Sequence, residues 1–376
     1  MPTDLTLAQT RLLFRPERLT QARLLRGYRK VDLAGAIEVS PAAVGQFERG
    51  DARPSVETLG RICVALQFPR TFFASVPDAL DLSERSINFR RLRSTSATAR
   101  AMQVARLALA EELTSRVERD VDLPMVEIPS FPIEAGDRDE IEAIAGATRR
   151  EWELGLGPIE SITMLLESKG CVVVRAPVDV EGVDAYSRWT AARPIIVLGR
   201  DKDDAARSNF DAAHELGHLV MHHDPAPGSR DAEAQAQAFA AAFLLPAQAI
   251  RDELPRRFDI RRYVQLKRRW RVSIQALAYR SRTLGLISEA TFRRGMARIS
   301  LRGWRTGEPY PIGPADEPVL LRAAVDLIGQ ARGTSIHDLA SELGFPQDVV
   351  DLFLVDRDRP SVTLSRGPAS AISTAT

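Results

Sequence analysis

The sequence predicts a mostly helical α+β protein, with an all-α N-terminal domain, a middle domain built on a small sheet, and a helical C-terminal region. Three observations carry this. Short apolar-periodic segments with sharp stops run from residue 18 to residue 73. Two β-branched runs, CVVVRAPV and RPIIVLG, read as strands. The string HELGHLVMHH gathers four of the chain's five histidines, His214, His218, His222 and His223, into ten positions.

The 376 residues, 44% hydrophobic and 27% charged, suit two or three ordinary globular domains. No run reaches the roughly 18 apolar residues of a membrane span. The N-terminus lacks the compact apolar core of a secretion signal, so a cytoplasmic protein without a membrane partner is expected. Cys63 and Cys171 are the only cysteines, and both have apolar neighbours, which excludes a disulfide framework or a thiolate zinc cage. The net charge of +1 is unevenly spread: residues 251–305 hold sixteen Lys or Arg against four Asp or Glu. Such a stripe suits nucleic acid or an acidic partner, or else forms a solvated helical face.

In RLTQARLLRGYRK the apolar positions Leu19, Ala22 and Leu25 recur at helical spacing before Gly27, and DLAGAI begins a second helix. Ser40 followed by Pro41 is a helix start, and PAAVGQFERG stops on Gly50. Ser55 caps a further helix with Val56, Leu59, Ile62, Cys63 and Leu66 on one face. This order resembles the lambda-repressor-like (XRE) helix-turn-helix family, through Leu33, Ala34, Val39, Ser40, Glu48, Arg49, Gly50, Pro54 and Ser55. The resemblance implies that Pro41–Arg49 enters the DNA major groove, with Ser40, Ala42, Ala43, Gln46 and Arg49 at the interface. Lys30 stands where the family has Gln and suits a phosphate; Glu38 stands where it has Gly, at a turn position that often needs positive φ. Only Gln46 has a side chain fit for a bidentate base contact, best with adenine, so modest sequence specificity follows. The competing reading is a helix-turn-helix used to dimerise or to hold another protein.

The domain boundaries expected are 1–76 for the helix-turn-helix, 77–140 for a helical connector, 141–250 for the middle domain, 251–310 for a basic helical subdomain, 311–358 for a C-terminal helical region and 359–376 for a disordered tail. The connector reads as a basic entry and a long amphipathic helix, ended by Pro124, Pro129 and Pro132. SITMLLESKG is a helix stopped by Gly170.

Four residues apart on a helix, His214 and His218 point the same way with about 6 Å of rise between them, and can reach one ion. Glu215 lies about 100° round the helix, placed to hold a metal-bound water without being a ligand. This is the H-E-x-x-H arrangement of zinc peptidases. A catalytic zinc takes three protein ligands and leaves a fourth position for water. The helical run RDAEAQAQAFAAAFLLP can return Glu233 to the pair as third ligand; Asp231 is the weaker candidate, with capping its expected job. His222 shares the face but lies a further turn along, which favours a supporting or core role, and His223 is expected at the surface.

Residues 152–304 resemble the ImmA/IrrE metallopeptidase family through DAYSRW, RSNFDAAHELGHLVMH, EAQAQAFAAAFLLP and LKRRWRVSIQALAYRSRTLGLIS. The resemblance implies a zincin-like domain with Zn2+ on His214, His218 and Glu233, and Glu215 as general base. It implies a protein substrate of the helix-turn-helix repressor kind, whose cleavage releases stress or mobile-element genes. Tyr186 is the candidate partner for the tetrahedral oxyanion, with a buried core tyrosine as the alternative. The function expected is a zinc-dependent endopeptidase and transcriptional regulator that binds DNA through residues 1–76, with a homodimer on two half-sites as a further expectation. The alternative is a DNA-binding transcription factor whose peptidase-like domain senses or docks without turnover.

Two further patterns remain. Residues 258–286 hold a helix, a Val-Ser turn and a second helix, which fits another helix-turn-helix or plain packing. A shift of 306 positions lays Arg332, Gly333, Asp338, Leu339, Ala340, Val350, Phe353 and residues 359–362 onto the N-terminal pattern, with Gly344 at the turn. A partial helix-turn-helix there competes with coincidence among short helices.

Overall fold

The computed structural model describes residues 5–77, 80–83, 88–89, 96–133, 136–178, 184–200, 204–222, 229–305 and 307–354. The chain forms two compact units: Met1–Glu84 with Ser94–Leu123 and Leu320–Thr376, and Arg85–Arg93 with Pro124–Val319.

The first unit begins with α1 (Leu7–Leu12), α2 (Pro16–Leu25), α3 (Lys30–Ala36), α4 (Pro41–Arg49) and α5 (Val56–Leu66), then a short 3-10 helix at Arg70–Ala74. Each start has a chemical cause. The Ser40 hydroxyl accepts from the Ala43 amide and Pro41 fixes the first turn of α4; Ser55 does the same for α5 through the Thr58 amide. Gly50 ends α4 at φ 79°, where a side chain would be strained. Glu38 does adopt the left-handed conformation, at φ 57°. The fully buried Leu19, Ala22, Leu33, Val44, Leu59, Ile62 and Leu66 form the core of this helical cluster. The α5 face is narrower than its sequence suggests: Val56 is 42% exposed and Cys63 half-buried, because the buried stripe passes through Leu59, Ile62 and Leu66.

The helix expected as an amphipathic connector is α6 (Ala97–Val117), and it differs from that expectation. Every residue from 103 to 114 is buried, so the helix has no solvent stripe. Glu112 is paired rather than exposed: Arg18 Nη1 donates to its Oε2 at 2.7 Å and to Gln21 Oε1 at 2.7 Å. Contacts therefore group this helix with α1–α5 rather than leave it between domains.

In the second unit, the helices are α7 (Arg138–Glu151), α8 (Ile162–Ser168), α9 (Ala205–Met221), α10 (Arg230–Leu244), α11 (Ala247–Ile250), α12 (Ile260–Trp270), α13 (Ile274–Thr283) and α14 (Glu289–Leu301). The strands β1 (Asn88–Phe89), β2 (Val172–Ala176), β3 (Ala185–Trp189) and β4 (Pro194–Gly199) make one sheet in the order β1-β3-β4-β2. β4 pairs parallel with β2 and antiparallel with β3, and β3 antiparallel with β1. Both β-branched runs are strands; DAYSRW supplies a third between them. Register sets the faces. Ser187 lies opposite Ile196 and Ala185 opposite Leu198, while Tyr186 lies opposite Val197 on the other side of the pleat. α9 packs on β3 and β4, and α10 packs on both α9 and α7. The core runs through Ala185, Ile196 and Leu198 of the sheet, Leu216 and Leu219 of α9, and Phe239 and Phe243 of α10. Between sheet and helices, α9 is buried without a break from Ala212 to Met221, so His214, Glu215 and His218 are polar side chains held in the interior.

The last helices, α15 (Leu320–Arg332), α16 (Ile336–Leu343) and α17 (Gln347–Val350), return to the first unit. Arg26 pairs with Asp348 at 2.5 Å, and the Phe72 and Phe345 rings lie 5.7 Å apart. A three-helix segment thus occupies residues 320–354, with Gly344 at the end of α16. Residues 355–376, the expected tail included, lie outside the described residues. No helix among the described residues is long and apolar enough to cross a membrane.

Candidate metal centre and nucleic-acid interface

α9 starts where Asp204 caps the Arg207 amide at 2.9 Å, and its seventeen residues carry His214 and His218 one turn apart. The two Nε2 atoms stand 3.2 Å from each other. From the first turn of α10, whose start is capped by Ser229, Glu233 places one carboxylate oxygen 3.4 Å from His214 Nε2 and the other 3.3 Å from His218 Nε2. Among the described residues these three form the group of ligating atoms that could hold one ion.

The spacing fits zinc. Two atoms each about 2.0–2.1 Å from a tetrahedral ion are about 3.3 Å apart. The imidazoles are 2% exposed, and Glu233 keeps 22% of its side chain in solvent. Burial pushes the Glu233 carboxyl up, but hydrogen bonds from His214 and His218 outweigh it and hold the group below the usual carboxylate range. An anionic oxygen and two imidazole nitrogens are a borderline donor set of the kind zinc accepts.

Glu215, 1% exposed, follows the first histidine, and Ser187 Oγ on β3 donates to its Oε2 at 2.6 Å. Ser187 was not singled out from sequence; DAYSRW promises alternation but not which parity meets α9. That parity corrects the expectation for Tyr186. As Ser187 faces Glu215, its neighbour Tyr186 points to the opposite face of the sheet, where it is fully buried. The structure does not bring Tyr186 to the histidine pair.

His222 ends α9 and is 7% exposed. Its Nδ1 lies 3.1 Å from His218 Nδ1, and its Nε2 lies 2.8 Å from Oε1 of Gln235 on α10. Burial pushes the His222 imidazole down to about 4, so the ring is neutral near pH 7. Gln235 had no signal in the sequence beyond sharing a helix with Glu233. Asp231 is exposed in the first turn of α10, outside the ligand group, where its charge suits the helix N-terminus. His223 lies outside the described residues.

In the first unit, α4 presents Ser40, Ala42, Gln46 and Arg49 as exposed residues, with Ala43 half-buried. Ser40 is engaged as the cap, and Arg49 pairs with Asp51 at 2.8 Å. Lys30 is 47% exposed but not unengaged: its Nζ is 3.1 Å from Glu48, which also pairs with Arg23 at 2.5 Å.

Comparison with known proteins follows these two sites. Residues 166–282 match the family model of the IrrE N-terminal-like domain, a peptidase M78 family, and residues 19–73 match a helix-turn-helix model. A 61-residue stretch is 41% identical to the HTH-type transcriptional regulator SutR of Escherichia coli (strain K12), covering 16% of this chain. The chain spans about a third of that regulator's length, 34%. The protein therefore joins a DNA-binding helix-turn-helix domain of the XRE type to a metallopeptidase-like domain of the IrrE kind.

Proposed function

We propose that the chain is a zinc-dependent, site-specific endopeptidase and transcriptional regulator whose substrate is a helix-turn-helix repressor protein. The observation that carries the reading is the convergence of His214, His218 and Glu233 at separations of 3.2 to 3.4 Å, beside a carboxylate already held by a hydroxyl. A structural zinc site does not need Glu215; a hydrolytic one does.

His214, His218 and Glu233 would hold the ion. When bound there, zinc supplies a water acidified towards neutrality and polarises the scissile carbonyl. Glu215 accepts the proton of the attacking water on its carboxylate and returns it to the leaving amine. Ser187 fixes one oxygen of that carboxylate, which limits its rotation and leaves the proton transfer a single geometry. The buried surroundings of Glu215 and both histidines exclude bulk water from the exchange. The N-terminal domain would bring the chain to DNA as a homodimer on two half-sites, through Lys30, Ser40, Ala42, Ala43, Gln46 and Arg49.

The test compares wild type with Glu215→Gln for zinc content and for cleavage of a co-expressed helix-turn-helix repressor from the same genome. Zinc in both and cleavage by the wild type alone is expected. Zinc in both with no cleavage by either would favour a regulator whose peptidase-like domain docks without turnover. A wild type without zinc would remove the metal centre.

A further inference from the structure

Neither the metal centre nor α4 uses the basic stripe at residues 251–305. Within it, the second helix of the helix-turn-helix pattern is α13, and no residue of α13 is exposed. Its first turn is sealed as well: the Glu308 carboxylate accepts from the Ile274 amide at 2.8 Å and from the Gln275 amide at 3.1 Å. A helix start already holding an anion has no place for a phosphate. α13 is therefore a packing element and does not read bases.

α14 is different. Gly295 and Ile299 turn inward, Ile299 into the core of the second unit. Arg294, Arg298, Leu301 and Arg302 are exposed, Leu301 at 87%, and helical spacing gathers them on one side. Residues 290–307 contain five arginines and no Asp or Glu. Glu289, at the start of the helix, is taken by Arg282 and Arg293. Among the described residues no carboxylate pairs with Arg294, Arg298, Arg302 or Arg305. Their contacts are neutral: Arg294 reaches Thr291 Oγ1 at 3.4 Å, and Arg302 lies over the Trp304 ring at 4.9 Å. Arg305 donates to Ser300 Oγ at 2.6 Å, which holds it against the last turn of the helix.

We propose that this face of α14 binds the phosphate backbone of duplex DNA without sequence preference, giving the second unit a DNA contact of its own in addition to that of α4. Charge density favours DNA. Arg294 and Arg302 are about 12 Å apart along the axis, a length over which a duplex carries about seven negative charges. Guanidinium forks match phosphate oxygens two at a time. A folded acidic protein fits less well, because protein interfaces need an apolar centre depleted of charge, and this face offers Leu301 alone. The DNA-binding surface of a repressor is basic and would be repelled. The proposal goes beyond the peptidase reading and depends on neither zinc nor cleavage.

The test titrates the full-length protein onto a labelled duplex of random sequence at several salt concentrations and follows anisotropy. The variant carrying Arg294→Gln, Arg298→Gln and Arg302→Gln should bind more weakly, with the slope of log affinity against log salt smaller by roughly 2 to 3 units. Arg298→Gln alone should lower it by about one unit, which keeps the test open if the triple variant folds poorly. Lysine at the same three positions still releases counterions and should keep the wild-type slope. Arg257→Gln, Arg269→Gln and Arg322→Gln together remove equal charge from exposed arginines that already have carboxylate partners, and should leave the slope as it is. Gln46→Ala should not alter binding to random sequence, so a loss on α14 is read whether or not α4 reads bases. A wild-type slope in both glutamine variants of α14 would overturn the proposal and leave the face to an acidic protein. An equal fall in the Arg257, Arg269 and Arg322 control would overturn it too, as an effect of net charge alone.

Discussion

Ser187 Oγ donates to Glu215 Oε2 across 2.6 Å, from the second face-inward position of β3 to the residue that follows His214 on α9. A buried carboxylate that loses such a donor loses a charge-assisted hydrogen bond, worth about 1.5–3 kcal/mol. Ser187→Ala should therefore lower kcat for repressor cleavage by roughly 10- to 100-fold if that loss falls on the transition state, with zinc content unchanged. Tyr186→Phe, on the far face of the strand, should leave kcat as it is. Single-turnover cleavage assays of both variants check the pair, and a severe loss in Tyr186→Phe with none in Ser187→Ala would reverse the assignment.

Gly217, inside the HELGH string, stands where a Cβ would meet Phe239 Cδ1 at 3.0 Å and Ala236 Cα at 3.2 Å. Both belong to α10, the helix that carries Glu233. Gly217→Ala must push the two helices apart, at a cost of about 1–3 kcal/mol for overpacking. Thermal unfolding should shift down, and chelator competition should show weaker zinc because Glu233 recedes from the pair. A variant equal to wild type in both would mean that α9 and α10 are free to separate without consequence.

The histidine pair, Glu215 and Glu233 were legible because helical periodicity alone decides which residues can share an ion. Glu233 needed one further step, that a helix follows the Pro-rich turn and comes back. Ser187 was not legible. A one-residue change of register exchanges the faces of a strand, and nothing in DAYSRW says whether Ser187 or Tyr186 meets α9. α6 misled for another reason: an amphipathic helix would turn charges such as Arg106, Glu111 and Glu112 to solvent, while the structure buries all three, with Glu112 held by Arg18. Charge marks the surface only when its partner is water. The N-terminal helices were legible almost to the residue, since Ser40, Pro41, Gly50 and Ser55 act locally and need no distant partner.

Glu48 accepts from Arg23 and pairs with Lys30, with its side chain and that of Arg23 only 5% and 8% exposed. Removing one partner strands the other, so Glu48→Ala should cost about 3–5 kcal/mol of the first unit's stability. Arg49→Ala, whose pair with Asp51 is exposed, should cost less than about 1 kcal/mol. Urea unfolding followed by circular dichroism distinguishes them, and equal midpoints would show that the Arg23–Glu48 pair does not anchor α4.

Burial pushes the Cys63 thiol up to about 11, and the Cys171 thiol, fully buried, is raised further. A raised thiol pKa keeps the unreactive protonated form at neutral pH, while the unfolded chain ionises near 8.5. Folding is therefore favoured at low pH and loses this contribution as pH climbs from about 8.5 towards the folded values. Iodoacetamide at pH 8 should label neither cysteine in the native protein and both in urea. Prompt native labelling of Cys171 would contradict its burial.

Gln46 is the exposed residue of α4 able to make two directed hydrogen bonds to a base, and adenine is its best match. If α4 lies in the major groove, Gln46→Ala should cost about 1–3 kcal/mol on the preferred operator and almost nothing on other sequences. Lys30 is a different case. Its Nζ is shared with Glu48, so its phosphate contact competes with an ion pair already made. Lys30→Ala should weaken all sequences alike and flatten the salt dependence by at most about one unit of log–log slope. Operators selected from a random pool and titrated at two salt concentrations separate the two effects. Should Gln46→Ala weaken every sequence equally, the helix touches the backbone only; should neither substitution matter, α4 faces a protein rather than DNA.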